Sequence, residues 1–499
     1  MSEALSIGAG ISLAAALGAP AAAQATDFTV TTLGDPAADS CDPGDCSLRE
    51  AVEEAEANAT DDRILFQAGL TGTIALGNSQ GRLFVDEPLE VLGPGAAALT
   101  VSADANSQIF YIDTAPADPV AISGLTLSGG DSAASGGAIR SLHAELTIRD
   151  STISGNSSGS LAGGVFSYQG TTTIEGSTIS GNNAYLGGGV YSAESTTTIE
   201  GSTISGNGAS SRGGGFYSYS GTTTIEGSTI SGNDAVNGGG ISSFEGTITI
   251  EGSTIAGNEA ASEGGGIYSR SSPTDPILTN TIVAANAAPT GPDLSPGPGS
   301  DEFDASFSLI GSTAGATVTE TVAGSNITGQ SAQLGPLAAN GGSTQTMAPA
   351  LTSPAVDRGM APGPDQRGLT RPIDLPGIAN STAAGANGAD IGAVELQLPS
   401  NAFTFGALKR KPKKGTAVLS VRVPGAGSLA LKGAKVRRQA KNPQAAGVVR
   451  LLIRARGKVA KRLRRTGRAR VRAKVTYTPT AGNPRTKSRM IRLVKRKRR

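Results

Sequence analysis

The chain of 499 residues contains no tryptophan, one histidine and two cysteines, and only 4% of it is aromatic. With His143, Cys41 and Cys46 as the whole stock of imidazole and thiol, a zinc site of the usual Cys/His kind cannot be built from this chain alone. No Ser-His-Asp arrangement and no P-loop is present. The segment Ile491 to Val494 is far too short to cross a bilayer. Carboxylates are missing from residue 401 onward, where 32 Lys and Arg stand uncompensated; before that point 10 basic residues face 41 acidic ones. A net charge of +1 therefore hides an acidic body with a basic tail.

What the chain has in excess is glycine, 70 residues of it, which suits a thin stack better than one wide core. Residues 136 to 286 repeat themselves. Ile148, Ile174, Ile199, Ile225 and Ile250 are separated by 26, 25, 26 and 25 residues, and Ile153, Ile179, Ile204, Ile230 and Ile255 keep step with them. Asn156, Asn182, Asn207, Asn233 and Asn258 form a third column. A fixed period of this size implies one supersecondary unit stacked on itself. Thr, Ile, Val and Tyr favour strands, apolar positions come singly, and Gly triplets such as Gly187-Gly188-Gly189 break any helix, so each unit is expected to form three strands joined by turns.

A lone unit would bury a few aliphatic side chains worth about 1.5 to 3 kcal/mol each, against an ordering cost of about 1 to 2 kcal/mol per residue. Stacking is what makes it fold, since strand donors and acceptors then find the next coil and Ile sits on Ile. The Asn column is expected to form an internal amide ladder, as stacked Asn does in cross-β arrays. These features predict an all-β, right-handed parallel β-helix, a pectin lyase-like solenoid, over residues 63–330, with its most regular coils at 122–286. The pairing of Gly-Gly-Gly-Val/Ile/Phe with Ile-x-Gly-Asn also resembles the repeats of polymorphic outer membrane proteins and related exported β-helix proteins, with Ile where that family has Phe.

Residues 1–25 read as a cleavable export signal: Leu5 to Leu17 is apolar, small residues occupy Ala23 and Ala25, and Glu3 stands in a leader without Lys or Arg. In an oxidising compartment Cys41 and Cys46, set across Pro43-Gly44, are expected to pair as a disulfide; no basic neighbour is present to make them redox-active. Asp35, Asp39, Asp42 and Asp45 read as turn residues rather than as a Ca²⁺ loop. Ser47 and Glu50 form a capping box, so an amphipathic helix is expected to run to about Asn58 and cover the open end of the stack, residues 26–62 acting as a cap. The string Cys46-Ser47-Leu48-Arg49-Glu50-Ala51 matches the motif of the CSLREA domain, which fronts exported bacterial β-helix proteins and so implies export.

Between residues 331 and 398, Leu334-Gly335-Pro336-Leu337, Asp365-Gln366-Arg367-Gly368, Arg371-Pro372 and Asp390-Ile391-Gly392-Ala393 resemble the choice-of-anchor Q domain, and the segment is read as closing coils. Residues 399–499 are expected to form a small, basic β-sandwich-like domain, because Val471 to Tyr477 alternates apolar and basic residues.

No catalytic or cofactor-binding residue is assigned. Glu175, Glu200, Glu226 and Glu251 recur at one repeat position. Stacked about 4.8 Å apart they repel by about 1 kcal/mol per neighbouring pair in water, and they read as a solvated ridge or, alternatively, as a ridge that holds cations such as Ca²⁺. His143 is expected on the surface at a turn. The basic tail is expected to bind anionic cell-wall or surface polymers without reading nucleic-acid sequence, since aromatics that would stack on bases are almost absent. The variable segments Asn183 to Leu186 and Ala209 to Arg212 are expected to be loops that could carry a carbohydrate or protein ligand. The leading expectation is a non-enzymatic exported surface protein, secreted or cell-surface associated, with a rigid stalk; a lyase or hydrolase acting on acidic polysaccharide is the alternative.

Overall fold

The computed structural model describes residues 25–496 except 37–39, 58–59, 78–80, 104–106, 117 and 300–301. Residues 1–24, which hold nearly all of the export signal read from the sequence, lie outside the described residues, as does Asp39.

A right-handed parallel β-helix forms the body. One coil shows how: Thr171–Glu175, Thr178–Ser180, Asn183–Leu186 and Val190–Ala193 are four short strands, each hydrogen-bonded to its counterpart in the next coil. Stacking gives parallel sheets of twelve, eleven, six and nine strands. The expectation of three strands per unit is corrected here. The segments read as loops, Asn183 to Leu186 and Ala209 to Arg212, lie in the strands Asn183–Leu186 and Gly208–Arg212 of the six-stranded sheet, which pair through main-chain bonds that no side-chain pattern announces.

Inside, Ile148, Ile174, Ile199, Ile225 and Ile250 stand in register and fully buried, as do Ile153, Ile179, Ile204, Ile230 and Ile255. Corners need one left-handed residue each. At the corner leading into the twelve-stranded sheet the column is His143, Gln169, Glu194, Ser220, Glu245 and Ser271, with φ between 49° and 61°; at the next it is Asp150, Gly176, Gly201, Gly227 and Gly252. The second column is mostly glycine, which takes this φ without steric cost, whereas the first holds the same φ with six non-glycine residues.

At the front, Asp27–Val30 pairs with Asp62–Phe66, and α1 (Leu48–Glu56) lies between them in sequence. Ser47 and Glu50 make both bonds of the capping box, and Leu48, Ala51, Val52 and Ala55 join the end of the apolar core. Asp35, far from a turn residue free for a cation, is 3% exposed and pairs with Arg49 at 2.8 Å. Cys41 and Cys46 form a disulfide with their Cα atoms 4.4 Å apart.

Residues 331–398 do not add coils. Among the described residues they form isolated β-bridges such as Leu334 with Pro349 but no longer strand, and they run back along the outside of the eleven-stranded sheet as a strap. Ile391 and Ala355 pack on Ile282, Ala284 and Leu309; Ala393 N–H bonds Thr254; Gln366 reaches Ser202, Thr203 and Thr229; Thr344 reaches Gly201. The effect on burial is direct. Thr178–Ser180 and Thr229–Ser231 have the same sequence, Thr-Ile-Ser, yet the outward Thr and Ser are half-exposed in the first and buried in the second, where the strap lies over them.

The C-terminal domain has two antiparallel sheets around one core that includes Leu419, Val421, Val471, Val475 and Tyr477. The strands are Thr404–Lys411, Thr416–Val423 and Gly447–Ile453 in one sheet, and Gln439–Lys441, Gly427–Lys432, Arg468–Pro479 and Arg485–Val494 in the other. It also holds a helix the sequence reading missed, α2 (Gly457–Thr466), ended by left-handed Gly467. The missed signal was Val459 and Leu463, apolar residues four apart in a basic run.

Candidate functional site

Two surfaces concentrate charge. The first is a groove of about 590 Å³ between the corner column and the strap. One wall is the row Glu175, Glu200, Glu226 and Glu251, in register along the twelve-stranded sheet; Asp150 and the corner glycines form the floor; Pro362 to Gly368 and Arg371 form the far wall. The strap rests on the floor, since a Cβ placed on Gly252 would lie 3.4 Å from Arg371 Nη1 and one on Gly176 would lie 3.6 Å from Ser343 Oγ. The four glutamates read from the sequence are thus brought into one file. They do not converge: among the described residues no group of three or more His, Cys, Asp or Glu could hold a metal ion. Arg149 occupies the end of the file, 2.8 Å from Glu175.

Chemically this wall offers acceptors to cations or hydroxyls, all from one side. A glycosidase needs a second carboxyl facing the first across the scissile bond. The acid on the far wall, Asp365, is committed elsewhere: it accepts from the Nε and Nη2 of Arg367 and from the backbone N–H of Arg367, Leu369 and Glu395. Acids displaced toward neutrality sit behind the groove, inside the strap. Burial pushes Asp390 up to about 7 and Asp357 to about 6, and raises Glu395. They hold the strap closed: Asp390 accepts from the N–H of Asp357 and Leu396, Glu395 from those of Ile373 and Asp390, and Arg371 lies 3.3 Å from Glu395. Several of these residues belong to the motifs singled out between 331 and 398.

The second surface is the outer face of the strand pair Arg468–Pro479 and Arg485–Val494. Arg468, Arg470, Arg472 and Lys474 alternate with buried Ala469, Val471, Ala473 and Val475, as the sequence pattern predicted. Arg470 stands directly opposite Arg492, and Lys432 opposite Lys474. Like charges facing each other across strands are destabilising, and anions relieve them. Among the described residues every ion pair lies between Asp27 and Glu395, so none joins this domain to the acidic body.

The Asn column forms the ladder expected of it. Nδ2 of Asn156, Asn182, Asn207, Asn233 and Asn258 donates to Oδ1 of the next coil's Asn at 2.9 to 3.0 Å, through to Asn286. The sequence reading missed its end: Asn286 donates to Asp293, a carboxylate that needs no acceptor beyond it. His143 is half-buried, 3.2 Å from Asp113, and away from both charged surfaces. No helix of the described residues is long and apolar enough to cross a membrane.

The family described as right handed beta helix region matches residues 138–334. No curated protein matches the chain.

Proposed function

We propose that this protein is an exported structural or adhesive element, a rigid β-helix attached to an anionic surface polymer through its basic C-terminal domain. The observation that carries the reading is the separation of charge. Arg468, Arg470, Arg472, Lys474 and Arg492 crowd one exposed sheet face with no carboxylate partner, although the body beside them is strongly acidic. Such a face gains by releasing counterions from a polyanion, and its binding weakens as salt rises. Export is supported by the Cys41–Cys46 disulfide, by the likeness of Cys46 to Ala51 to the CSLREA motif, and by the leader at residues 1–25. The likeness of residues 334–393 to choice-of-anchor segments fits a chain whose last domain does the attaching.

The test is retention of the full-length protein on the producing cells. Replacing Arg470, Arg472, Lys474 and Arg492 by Gln should release most of it at physiological salt, as high salt should release the parent. Equal retention of both proteins through a high-salt wash would refute the attachment.

A second reading places a carbohydrate-active site in the groove, favoured by its dimensions and its carboxylate wall. Release of reducing or unsaturated ends from a uronate polymer, abolished by Glu200→Gln with Glu226→Gln, would establish it.

A further inference from the structure

Before residue 401 the chain has ten arginines and no lysine. Arg49, Arg63, Arg149, Arg367 and Arg371 are in ion pairs. Arg82, Arg140, Arg212, Arg270 and Arg358 are not; Arg358 is exposed on the strap, and the other four lie on or at the border of one surface, the outer face of the nine-stranded sheet. That face also gathers aromatic side chains: Phe84 on Tyr111, Phe166 on Tyr191 on Tyr217, and Tyr219 on Phe244, with ring centroids 5.0 to 5.6 Å apart. Arg82 lies 4.1 Å over Tyr111, Arg140 5.2 Å over the same ring, and Arg270 5.5 Å over Phe244, while Arg212 sits beside the Tyr217 hydroxyl. The Nε of Arg140, Arg212 and Arg270 is buried with no hydrogen-bond partner. Carboxylates on this side include Asp113, which is paired with His143, and Glu263, in the same register row as Arg212; even so, four guanidinium groups outside ion pairs on one side of a body with 41 acidic residues are a selective arrangement.

We propose that this face binds an extended acidic glycan laid along the helix axis. The arginines recur at intervals of two or three coils, about 10 to 14 Å, along some seven coils. Guanidinium groups match carboxylate or sulfate in fork geometry, and packing on rings holds them in place before the ligand arrives. The spacing selects a polymer whose charges are far apart. A nucleic-acid strand carries a phosphate about every 3.4 Å in a duplex, and single strands bind by stacking bases on open ring faces. Here most ring faces are taken by other rings or by guanidinium groups, with Phe84 at the end of the sheet the exposed one, and guanidinium donors beside the rings suit a polyhydroxylated chain. An open depression of about 640 Å³ between Arg82, Phe84, Gln108 and Arg140 gives such a chain a place to enter. The proposal does not depend on the role given to the C-terminal domain.

The experiment is affinity electrophoresis of the full-length protein, in the background where Arg470, Arg472, Lys474 and Arg492 are Gln, through gels containing hyaluronan, dextran or single-stranded DNA. Hyaluronan should retard the protein and dextran should not. Arg140→Gln with Arg270→Gln should weaken the retardation about tenfold or more, and Arg140→Lys with Arg270→Lys should recover only part of it, with melting temperatures within a few degrees of the parent in the Lys protein. No retardation in the Gln background, or retardation indifferent to Arg140 and Arg270, would overturn the proposal; so would equal, arginine-dependent retardation by DNA. Loss of cell retention in that background with hyaluronan binding intact would leave both readings standing, because the two surfaces are read separately.

Discussion

Replacing Asn207 by Ala should cost more than any single aliphatic contact in its coil, and the structure says why. Asn207 is fully buried. Its Oδ1 accepts from the backbone N–H and the Nδ2 of Asn182, both at 3.0 Å, while its own Nδ2 donates to Asn233 Oδ1 at 2.9 Å and to the Ile179 carbonyl at 3.0 Å. Truncation strands two donors on Asn182 in a dry interior. At about 1 to 3 kcal/mol for each buried unsatisfied group, the loss is about 2 to 6 kcal/mol. Asn207→Leu restores the volume without restoring an acceptor, so it should be nearly as damaging. Thr196→Ala, on the exposed side of the same coil, should stay within about 0.5 kcal/mol. Denaturant unfolding gives the totals. Hydrogen exchange gives the place: protection should fall first at Asn182 and Asn233 and least near Asn286, since each coil touches only its neighbours. A cost below about 1 kcal/mol for Asn207→Ala, or full rescue by Leu, would refute the claim that hydrogen-bond satisfaction rather than filling sets the value of this column.

Other outcomes follow from the strap and the tail. Ser180→Arg should be tolerated and Ser231→Arg should detach the strap, visible as new protease cleavage between 331 and 398, although both serines end identical Thr-Ile-Ser strands. The strap should also loosen with rising pH. Asp390 and Asp357 have folded pKa values of about 7 and about 6, above the ordinary 3.8, so the stability tied to their protonated forms is complete below about 4 and is lost as pH climbs through 6 to 7. Exchange of the Asp357 and Leu396 amides should accelerate between pH 5 and 8; constant protection after correction for intrinsic rates would contradict this. Asp293→Asn, though isosteric, should destabilise the last regular coil by about 1 to 3 kcal/mol in denaturant unfolding, because its two oxygens accept from Asn286 and Ser312 and an amide nitrogen must face one of those donors.

The stack could be read from residue order because each inward position repeats with one residue type; Ile174 and Asn182 advertise their role in every copy. The fourth strand could not, since Asn183–Leu186 and its counterparts share backbone pairing and little else. The strap was legible as motif and illegible as path. Its residues bond mostly to one another, and its target is the outside of strands whose Thr and Ser look solvent-facing; only Ala256, Ala284 and Ile282, where other coils have Ser or Thr, hinted that something covers them. The glutamate file was read correctly as a file, but the wall opposite it comes from residues more than 100 positions further along the chain. The arginine face was not legible, because residue order does not say which cations have carboxylate partners in the fold.

The amide ladder is one-directional, and this bears on how such a protein could change size. Every inner Asn accepts from the Asn before it and donates to the Asn after it and to a carbonyl of the preceding coil in the same way, so an added or deleted unit of 25 or 26 residues between Asn156 and Asn286 restores an identical junction, while Gly130 at one limit and Asp293 at the other go on doing what they did. Reach is therefore a quantity that duplication or loss of a unit can adjust in steps of about 4.8 Å, with the terminal fittings untouched. The glutamate file and the aromatic face would grow or shrink by the same step, whereas the strap, of fixed length, would cover a smaller or larger share of the column.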